Sequence, residues 1–337
     1  MIDNKTDKIA IHIGYPKAAS TTLQKHLFNK HSDINNLGVY PTANLGRDSN
    51  EIDYNCIFLQ NDNLRYFYNN LLNLDKENSI EQYINKIYPL LDNKKINVFS
   101  NERFTSVFFT PVGNLEAKAE LLQEFFPQAQ IIIVIRNQFK SLESQYRDWP
   151  FDPNSLTKGK PVSFSDWVQI AYEKDHIIGY LQSLKYDEIF NIYAKLFGDK
   201  KVKVLLFEDL VSNLTLFSKD ISNFLEIEFN QTKLNLESKH ENISVTSRFN
   251  KYRKLKRSFP LLGKIENKLL FQPTMKRKWS EFIKSGKKAN YSLSKSAKQL
   301  IHSYFQESND NLLKINQALN LQRYNYPLES RKLNNSE

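Results

Sequence analysis

The sequence predicts an α/β fold, in which helices flank a central parallel β-sheet and the C-terminal part is mainly helical. Short runs of β-branched residues recur along the first two thirds of the chain, and helical patterns separate them. One run, residues 131–135 (IIIVI), is entirely β-branched, as in a strand that is covered on both faces. Another apolar run, residues 9–13, passes through a turn of small residues directly into a helical pattern.

Composition and charge define the class of protein. The chain has 337 residues, of which 40% are hydrophobic and 25% charged, as in ordinary globular proteins. We expect one domain over residues 1–327, made of an α/β core (1–226) and a mainly helical part (227–327), followed by a disordered tail (328–337). The single Cys56 excludes an internal disulfide bond. Because the polar N-terminus predicts neither a signal peptide nor a membrane span, we expect a cytoplasmic protein.

The first strand, turn and helix form the most informative stretch. Backbone N–H groups at a helix N-terminus have no intrahelical partner, and the helix dipole makes this end positive. A turn of small residues that leads into such an end is therefore suited to bind an anion such as phosphate. A lysine and three hydroxyl groups add further donors. The predicted phosphate-binding loop and helix start consist of Lys17, Ala18, Ala19, Ser20, Thr21 and Thr22.

The next elements alternate between helices and strands. After a short strand at 37–40 we predict helical segments at 51–74 and 80–91, and we expect the aromatic residues of the first segment to form core or the wall of a binding site. A strand at 96–100 then ends in Ser-Asn-Glu-Arg, a helix spans 114–126, and the strand at 131–135 ends in Arg136. Ligands of open parallel sheets bind beyond the carboxyl ends of the strands, where these polar residues are found.

The later elements are less specific. A helix follows at 141–147, and the loop 149–161 is long enough for a lid or a substrate contact. Ser163 begins a helix by a capping pattern, and we predict a helix at 186–197, a strand at 202–207 and a long amphipathic helix at 294–319. Residues 248–257 include six basic side chains. This segment could be a solvated helix, could close over a nucleotide, or could hold an anionic acceptor.

Two motifs resemble those of the PAPS-dependent sulfotransferases. Residues 16–23 (PKAASTTL) resemble the family's 5′-phosphosulfate loop, P-K-x-G-T-T-x-L, with Ala19 at the glycine and Ser20 at the first threonine. Arg136, Ser144 and Tyr146 follow the spacing of its 3′-phosphate motif, R-N-P-x-D-R-x-x-S-x-Y, although its proline, aspartate and second arginine are absent. Looser similarity, including Glu-Asp-Leu after the strand at 202–207, extends over residues 8–226.

The resemblance implies a P-loop-NTPase-like sulfotransferase fold and a transfer of the sulfuryl group from PAPS to an acceptor hydroxyl, without a metal. It implies that the phosphate loop binds the 5′-phosphosulfate, that Arg136 and Ser144 bind the 3′-phosphate, and that Lys17 stabilises the leaving oxygen. The acceptor also needs a base. The place at which the family carries its base corresponds to Glu102. The alternatives are Glu51, Asp53 and His26.

Two other functions compete with this interpretation. A nucleotide-dependent kinase would need the G-x-x-x-x-G-K-[ST] loop and Mg²⁺, and the sequence lacks that loop. The net charge of +10 would suit nucleic-acid binding, but no nucleic-acid-binding module is recognisable. We therefore expect no nucleic-acid partner. Aromatic content and positive charge favour a saccharide or a glycolipid as acceptor.

Overall fold

A computed structural model describes residues 8–40, 53, 55–105, 113–148, 157, 162–237, 246–259, 272–287 and 291–329. Of the predicted lid loop at 149–161, only Thr157 is described. Glu51, Tyr54 and the tail from residue 330 also lie outside the described residues.

Five parallel strands form one sheet, in the order β2-β3-β1-β4-β5. The predicted α/β class, with a parallel sheet flanked by helices, is therefore confirmed. The side chains of β1 and β3 are buried throughout, as are those of β4 after its first residue, because helices cover both faces of the sheet. The strands are β1 (Ile9–His12), β2 (Ile34–Asn36), β3 (Ile96–Ser100), β4 (Gln130–Ile135) and β5 (Val202–Leu206).

The second strand lies earlier than the predicted residues 37–40. It spans Ile34–Asn36, and its asparagines concealed its strand character because asparagine is depleted in strands. Here the amide of Asn35 donates to Asn97 Oδ1 on β3, at 2.8 Å, so this polar side chain is satisfied within the sheet. The backbone N–H groups of Leu37 and Val39 still bond to β3 carbonyls, which explains why the predicted segment looked like a strand.

Fifteen helices lie among the described residues. They are α1 (Ser20–Thr22), α2 (Ile57–Gln60), α3 (Asp62–Leu72), α4 (Lys76–Gln82), α5 (Leu115–Phe125), α6 (Gln138–Asp148), α7 (Phe164–Glu173), α8 (Asp175–Ile178), α9 (Tyr186–Phe197), α10 (Phe207–Ser212), α11 (Leu214–Leu225), α12 (Phe229–Leu236), α13 (Ser247–Ser258), α14 (Pro273–Lys284) and α15 (Lys295–Ile315). Wider π-helical turns continue α1 over Leu23–Phe28 and α4 over Tyr83–Ile87, and 3₁₀ turns occur at Tyr88–Leu90, Glu102–Phe104, Gln182–Leu184 and Asp199–Lys201.

The helical segment predicted at 51–74 is two helices in the described residues. Asn61 separates α2 from α3 because its backbone is extended, and its side chain accepts a hydrogen bond from the N–H of Asn63 to cap α3. Ser163 caps α7 as predicted, accepting from the N–H of Asp166. The helix predicted at 186–197 is confirmed as α9, and the long C-terminal helix is α15.

Aromatic residues fill the space between the sheet and the helices before β4. Phe67 of α3 lies 6.3 Å from Phe99 of β3 and 5.8 Å from Phe125 of α5, measured between ring centroids. Phe99 in turn packs 4.7 Å from Phe126, and Phe58 and Tyr68 are also buried. The aromatic residues of the predicted 51–74 segment are thus mainly core, with Tyr66 exposed.

The chain divides into two compact units. The first, which contains the sheet, comprises Met1–Gln138, Ile177–Glu241 and Ser303–Glu337. The second comprises Phe139–His176 and Asn242–His302 and is helical where it is described. Leu328, at the start of the segment predicted to be disordered, is fully buried. No helix among the described residues is long and apolar enough to cross a membrane.

Candidate anion-binding site

The phosphate loop lies at the centre of the sheet, where the order of the strands reverses. β1 and β4 are neighbours, but the chain goes from β1 towards β3 and β2, and from β4 towards β5. Two adjacent strands whose connections leave in opposite directions open a crevice at their carboxyl ends, which is where ligands of open α/β sheets bind. The loop after β1 and Arg136 after β4 both begin at this crevice.

The backbone of the loop has the shape of an anion cradle. Lys17 (φ 69°) and Ala19 (φ 67°) both adopt the left-handed conformation, with Ala18 between them. Such alternation turns successive backbone N–H groups towards one side of the chain and forms concave anion sites. Ala19 also precedes α1 without providing a side-chain cap, so the first turn of the helix has no cap from its own N-terminal residue.

Ala19 stands at the position of the glycine in the resembling motif. Its left-handed backbone explains why glycine suits this position, since only glycine adopts that conformation without a steric penalty from Cβ. The alanine therefore keeps the shape of the loop at a local conformational cost.

Beneath the loop lies a buried histidine that the sequence analysis did not consider. His12 of β1 contacts Ser100 of β3 through Nδ1, at 2.8 Å, and Ser100 Oγ also accepts from Gln24 Nε2 at 2.9 Å. Ser100 Oγ thus links the imidazole of His12 to the side-chain amide of Gln24. Burial lowers the pKa of His12 to about 3, so the ring is neutral. The sequence offered one indication of this residue, because a histidine within the apolar run IAIHI is expected to be buried in the strand.

The same ring explains why Gly14 begins the loop. A Cβ atom on residue 14 would lie 2.3 Å from His12 Nε2, which is closer than any side chain can tolerate. The imidazole thus fills the space of the missing side chain. His12 Nε2 has no hydrogen-bond partner in the described part of the chain.

Glu102 meets the phosphate loop at the end of β3. Its carboxylate interacts with the Lys17 ammonium and with the Ser20 hydroxyl, which also lies 3.1 Å from the Tyr15 carbonyl. Burial raises the pKa of Glu102, and Lys17, the Ser20 hydroxyl and Arg103 oppose this rise. The carboxylate of Glu102, which is distant in sequence, therefore comes near the ammonium and the hydroxyl beside the helix N-terminus.

Several bonds fix the turn that carries Glu102. The N–H of Asn101 donates to the His12 carbonyl at 3.1 Å, and its side chain accepts from the N–H of Arg103 at 3.0 Å. Thr105 Oγ1 donates to the Gly14 carbonyl at 3.1 Å, which joins this turn to the phosphate loop. Lys118 Nζ donates to the Arg103 carbonyl, and burial lowers the pKa of this lysine to about 8.

Arg136 joins the second motif to the first. Its guanidinium donates from Nη1 to the carbonyl of Lys17 at 2.8 Å and lies over the ring of Phe207, 4.4 Å from its centroid. Its own carbonyl accepts a hydrogen bond from Tyr186 Oη at 2.6 Å. The half-buried arginine thus lies at the loop, where its positive charge adds to that of Lys17.

Asn137 and Glu208, which follow β4 and β5, hold the end of the sheet. Glu208 accepts from the backbone N–H of Asn137 at 2.9 Å and from Tyr326 Oη at 2.9 Å. Asn137 Nδ2 donates to the carbonyls of Tyr324 and Asn325. Asn137, from the Arg-Asn pair, and Glu208, from Glu-Asp-Leu, therefore hold the C-terminal segment by hydrogen bonds to residues 324–326.

The other candidates for the base lie elsewhere or outside the described residues. Asp53 accepts from Asn29 Nδ2 at 2.6 Å, and Asn29 follows the far end of the first helical segment from the loop. His26 lies within the π-helical turn of that segment. Glu51 is outside the described residues. Glu102 is a described candidate whose carboxylate interacts electrostatically with Lys17.

The remaining motif residues belong to the second unit. Ser144 is half-buried on α6, and its predicted contact with a 3′-phosphate remains a prediction. Tyr146 packs against Phe164 and Tyr291, each at 5.0 Å, and is therefore an aromatic core residue of this unit. Lys140 pairs with Glu143 on the same helix.

The described residues contain no cluster of three or more histidine, cysteine, aspartate or glutamate side chains that could hold a metal ion.

The chain is similar to three solved sulfotransferase structures. They are a sulfotransferase from Alicyclobacillus acidocaldarius (14% identity, 66% of this chain and 82% of that one, TM-score 0.44), mouse sulfotransferase SULT7A1 complexed with PAP (13%, 72% and 70%, 0.39), and the sulfotransferase domain of the Synechococcus PCC 7002 olefin synthase (15%, 90% and 96%, 0.38). No protein-family model and no curated protein matches the chain.

Proposed function

We propose that the protein is a sulfotransferase that uses PAPS as donor and a hydroxyl group as acceptor. The observation that carries the proposal is the convergence of Lys17, Ser20 and Glu102 at a loop whose backbone is shaped for an anion. A cation and a carboxylate side by side provide both groups that such a transfer requires, one for the leaving phosphate and one for the acceptor proton.

The residues at the loop fit the anionic groups of this donor. Two left-handed residues and an uncapped helix start provide N–H donors for a 5′-phosphosulfate at residues 19–22, while the N–H of Ala18 donates to the Tyr15 carbonyl at 3.1 Å and holds the turn. Arg136 is positioned at the Lys17 carbonyl, and its guanidinium can bind a second phosphate as the motif predicts, with Ser144 as the further ligand expected from the sequence. When bound, PAPS would supply the sulfuryl group and a phosphate leaving group.

Each side chain then has a defined task. Lys17 places its positive charge where negative charge develops on the leaving oxygen, and the fixed loop spares the reorganisation that water would need. Glu102 accepts the proton of the acceptor hydroxyl. Its raised pKa increases its basicity, while Lys17 keeps enough of it deprotonated to act.

We propose a saccharide or glycolipid as the acceptor, and the cytoplasm as the place of action. The positive net charge and the abundance of tyrosine and phenylalanine support the first, and the single cysteine suits a reducing compartment. Because Phe58, Phe67 and Tyr68 are core residues, stacking against a sugar would have to come from other aromatic side chains.

Isothermal titration calorimetry tests the donor. Adenosine 3′,5′-bisphosphate should bind much more tightly than adenosine 5′-phosphate, because only the former offers a second phosphate to Arg136. ADP with Mg²⁺ should bind weakly. Preference for ADP or ATP with Mg²⁺ would support a kinase instead, and equal binding of the two adenosine phosphates would contradict the assignment.

A screen with ³⁵S-labelled PAPS then tests the reaction and the acceptor class. Neutral oligosaccharides, acidic oligosaccharides, glycolipids and simple alcohols are offered separately, with Glu102→Gln protein as the blank. Transfer to a saccharide-bearing acceptor that requires Glu102 is the expected result. Transfer to simple alcohols alone would overturn the acceptor class and leave the donor assignment intact.

A further inference from the structure

The positive charge of the chain is concentrated in two helical segments of the second unit. Residues 246–259 and 272–287 contain 11 of the 47 basic residues and one of the 37 acidic residues, Glu281. The rest of the chain therefore has 36 residues of each sign and no net formal charge. The entire net charge of +10 is thus carried by the segments that form α13 and α14.

The same two helices expose an unusual number of large apolar side chains. On α14, Met275, Trp279 and Phe282 follow one another at helical spacing, with 42%, 36% and 54% of their surface exposed. Leu255 of α13 (51%) and Phe259, directly after it (58%), repeat this pattern one turn apart. Each helix thus has an apolar stripe that faces solvent. We call these five residues the apolar patch.

The two helices that carry these side chains pack against each other. Tyr252 of α13 contacts the edge of Trp279, with ring centroids 6.2 Å apart, and Trp279 stacks on Phe282 at 5.9 Å. Arg248 Nη1 donates to the Phe282 carbonyl at 2.9 Å and to Ser285 Oγ at 2.7 Å, which ties the start of α13 to the end of α14. The patch is therefore part of one packed helix pair.

Positive charges lie directly over the aromatic rings of this pair. The Arg248 guanidinium is 4.4 Å from the centroid of Phe282, and Lys256 Nζ is 5.6 Å from that of Tyr252. Lys251 and Lys278 are exposed on the same helices. An apolar surface surrounded by cations, with aromatic residues between the two, matches the layers of an anionic bilayer, where acyl chains lie beneath negative headgroups.

We propose that the α13–α14 pair binds the surface of an anionic lipid membrane, with the apolar patch in the headgroup–acyl boundary and the basic side chains on the lipid phosphates. Exposed leucine, methionine and phenylalanine favour this partner over nucleic acid. Binding to a nucleic-acid backbone depends mainly on positive charge, whereas a bilayer also stabilises apolar side chains that enter its hydrocarbon. The inference does not rest on the sulfotransferase assignment.

Vesicle cosedimentation tests the charge. The full chain should bind vesicles of phosphatidylcholine and phosphatidylglycerol mixed at about three to one, and bind pure phosphatidylcholine far less. Lys251→Gln/Lys278→Gln should weaken binding by about 25-fold, roughly fivefold for each charge near the surface. Lys86→Gln/Lys219→Gln, two exposed lysines of the first unit, is the matched control and should bind as the unmodified protein does.

A second pair of variants tests the apolar patch. Leu255→Ser/Met275→Ser should weaken vesicle binding by about tenfold or more, because two apolar side chains no longer enter the bilayer. Val211→Ser/Leu234→Ser removes two apolar side chains that are exposed elsewhere and should have no effect. Trp279 emission should shift to the blue on anionic vesicles, and this shift should be absent in Trp279→Phe.

Circular dichroism of every variant shows whether it is folded, and duplex DNA is titrated in parallel. Equal binding to neutral and anionic vesicles, or an unchanged affinity of both the lysine and the apolar variants, would overturn the proposal. Tight binding of DNA that depends on Lys251 and Lys278, without vesicle binding, would also overturn it and identify a nucleic-acid surface instead.

Discussion

Lys17 combines an unusual backbone with a specific neighbour. Its φ of 69° places it in the left-handed region, and its ammonium acts on the Glu102 carboxylate. The ammonium of a lysine on a flexible surface loop would be solvated by water, whereas this one is held between the carboxyl ends of β1 and β3. The position suits a charge that must act at one atom of a ligand.

Lys17→Ala should lower kcat by about 10²- to 10³-fold, as for other lost donors to a developing oxyanion. Affinity for adenosine 3′,5′-bisphosphate should fall less, because backbone N–H groups and Arg136 also hold the anion. Steady-state kinetics and calorimetry measure the two effects. Lys30→Ala, an exposed lysine after the first helical segment, is the control. Lost affinity with a normal kcat would mean that Lys17 only binds.

Glu102→Gln should lower kcat by about 10²- to 10⁴-fold, because it keeps the shape of the side chain and removes the proton acceptor. Nucleotide affinity measured by calorimetry should survive. Glu120→Gln, an exposed glutamate of α5, is the matched control. Glu51→Gln, Asp53→Asn and His26→Ala should each do far less. If Glu51→Gln is inactive and Glu102→Gln is active, the base is in the loop after β2.

The pH profile should show the environment of Glu102. In the proposed mechanism the deprotonated carboxylate is the base. Because burial raises its pKa, kcat/KM should fall on acidification at a higher pH than an exposed glutamate would give. Lys17 lowers this pKa. In Lys17→Ala the acidic limb should therefore move to higher pH, and an infrared titration of the carboxyl band, with Glu102→Gln as blank, should move with it. An acidic limb that does not move in Lys17→Ala would show that Lys17 does not act on the titrating carboxylate.

Sequence reasoning named the charged candidates but not their buried neighbours. Lys17, Glu102 and Arg136 stand at the ends of predicted strands or in motifs that resemble those of the sulfotransferases, and this pattern predicted them. The support from His12 depends on β1 and β3 being neighbours in register, with His12 opposite Ser100. Such register is a property of the assembled sheet, and a single sequence does not specify it.

At the scale of elements, the phosphate loop has an unusual backbone. Its two left-handed residues have Cβ atoms, and Gly14 has no room for one. The shape is maintained by the contacts around it, among them Thr105 on the Gly14 carbonyl and Arg136 on the Lys17 carbonyl. A loop of this kind is a feature of function more than of stability.

Ala19→Gly should stabilise the protein by roughly 0.5 to 1 kcal/mol. The left-handed conformation costs about 1–2 kcal/mol for a residue with a Cβ, and glycine removes this cost. Glycine also raises the conformational entropy of the unfolded chain, which offsets part of the stabilisation. Ala18→Gly is the matched control, because Ala18 is not left-handed, and it should destabilise by about 1 kcal/mol. Urea unfolding measures both. A loss of stability in Ala19→Gly equal to that in the control would show that the loop is not strained at this residue.

Element boundaries were predictable wherever one local signal decided them. The capping serine before α7 and the apolar period of α9 gave those helices directly. The Asn-rich β2 and the break at Asn61 were missed, because an asparagine can serve a strand, a cap or a turn. Its partner decides which, and in β2 that partner, Asn97, lies far along the chain.

At the scale of the molecule, ligand binding should couple to global stability. A nucleotide that binds only the native state stabilises it by about 2.7 kcal/mol at 100 times its Kd, which corresponds to roughly 4 °C in Tm for a chain of this length. Adenosine 3′,5′-bisphosphate should give this shift in a thermal melt, and adenosine 5′-phosphate at the same concentration a much smaller one. In Arg136→Gln the Tm shift caused by adenosine 3′,5′-bisphosphate should fall to about that caused by adenosine 5′-phosphate. A difference that persists in this variant would place the second phosphate elsewhere.

The position of β1 between β3 and β4 also has a consequence for how the protein folds. The loop before α1 is local in sequence, but Glu102 and Arg136 reach it only after two long chain closures have brought β3 and β4 to the same strand. No early hairpin or isolated helix can assemble these groups, and contacts of such separation form slowly. Binding of a nucleotide with two phosphates, as proposed, would therefore begin only once the centre of the sheet is complete, and the time course of nucleotide binding during refolding would report that event.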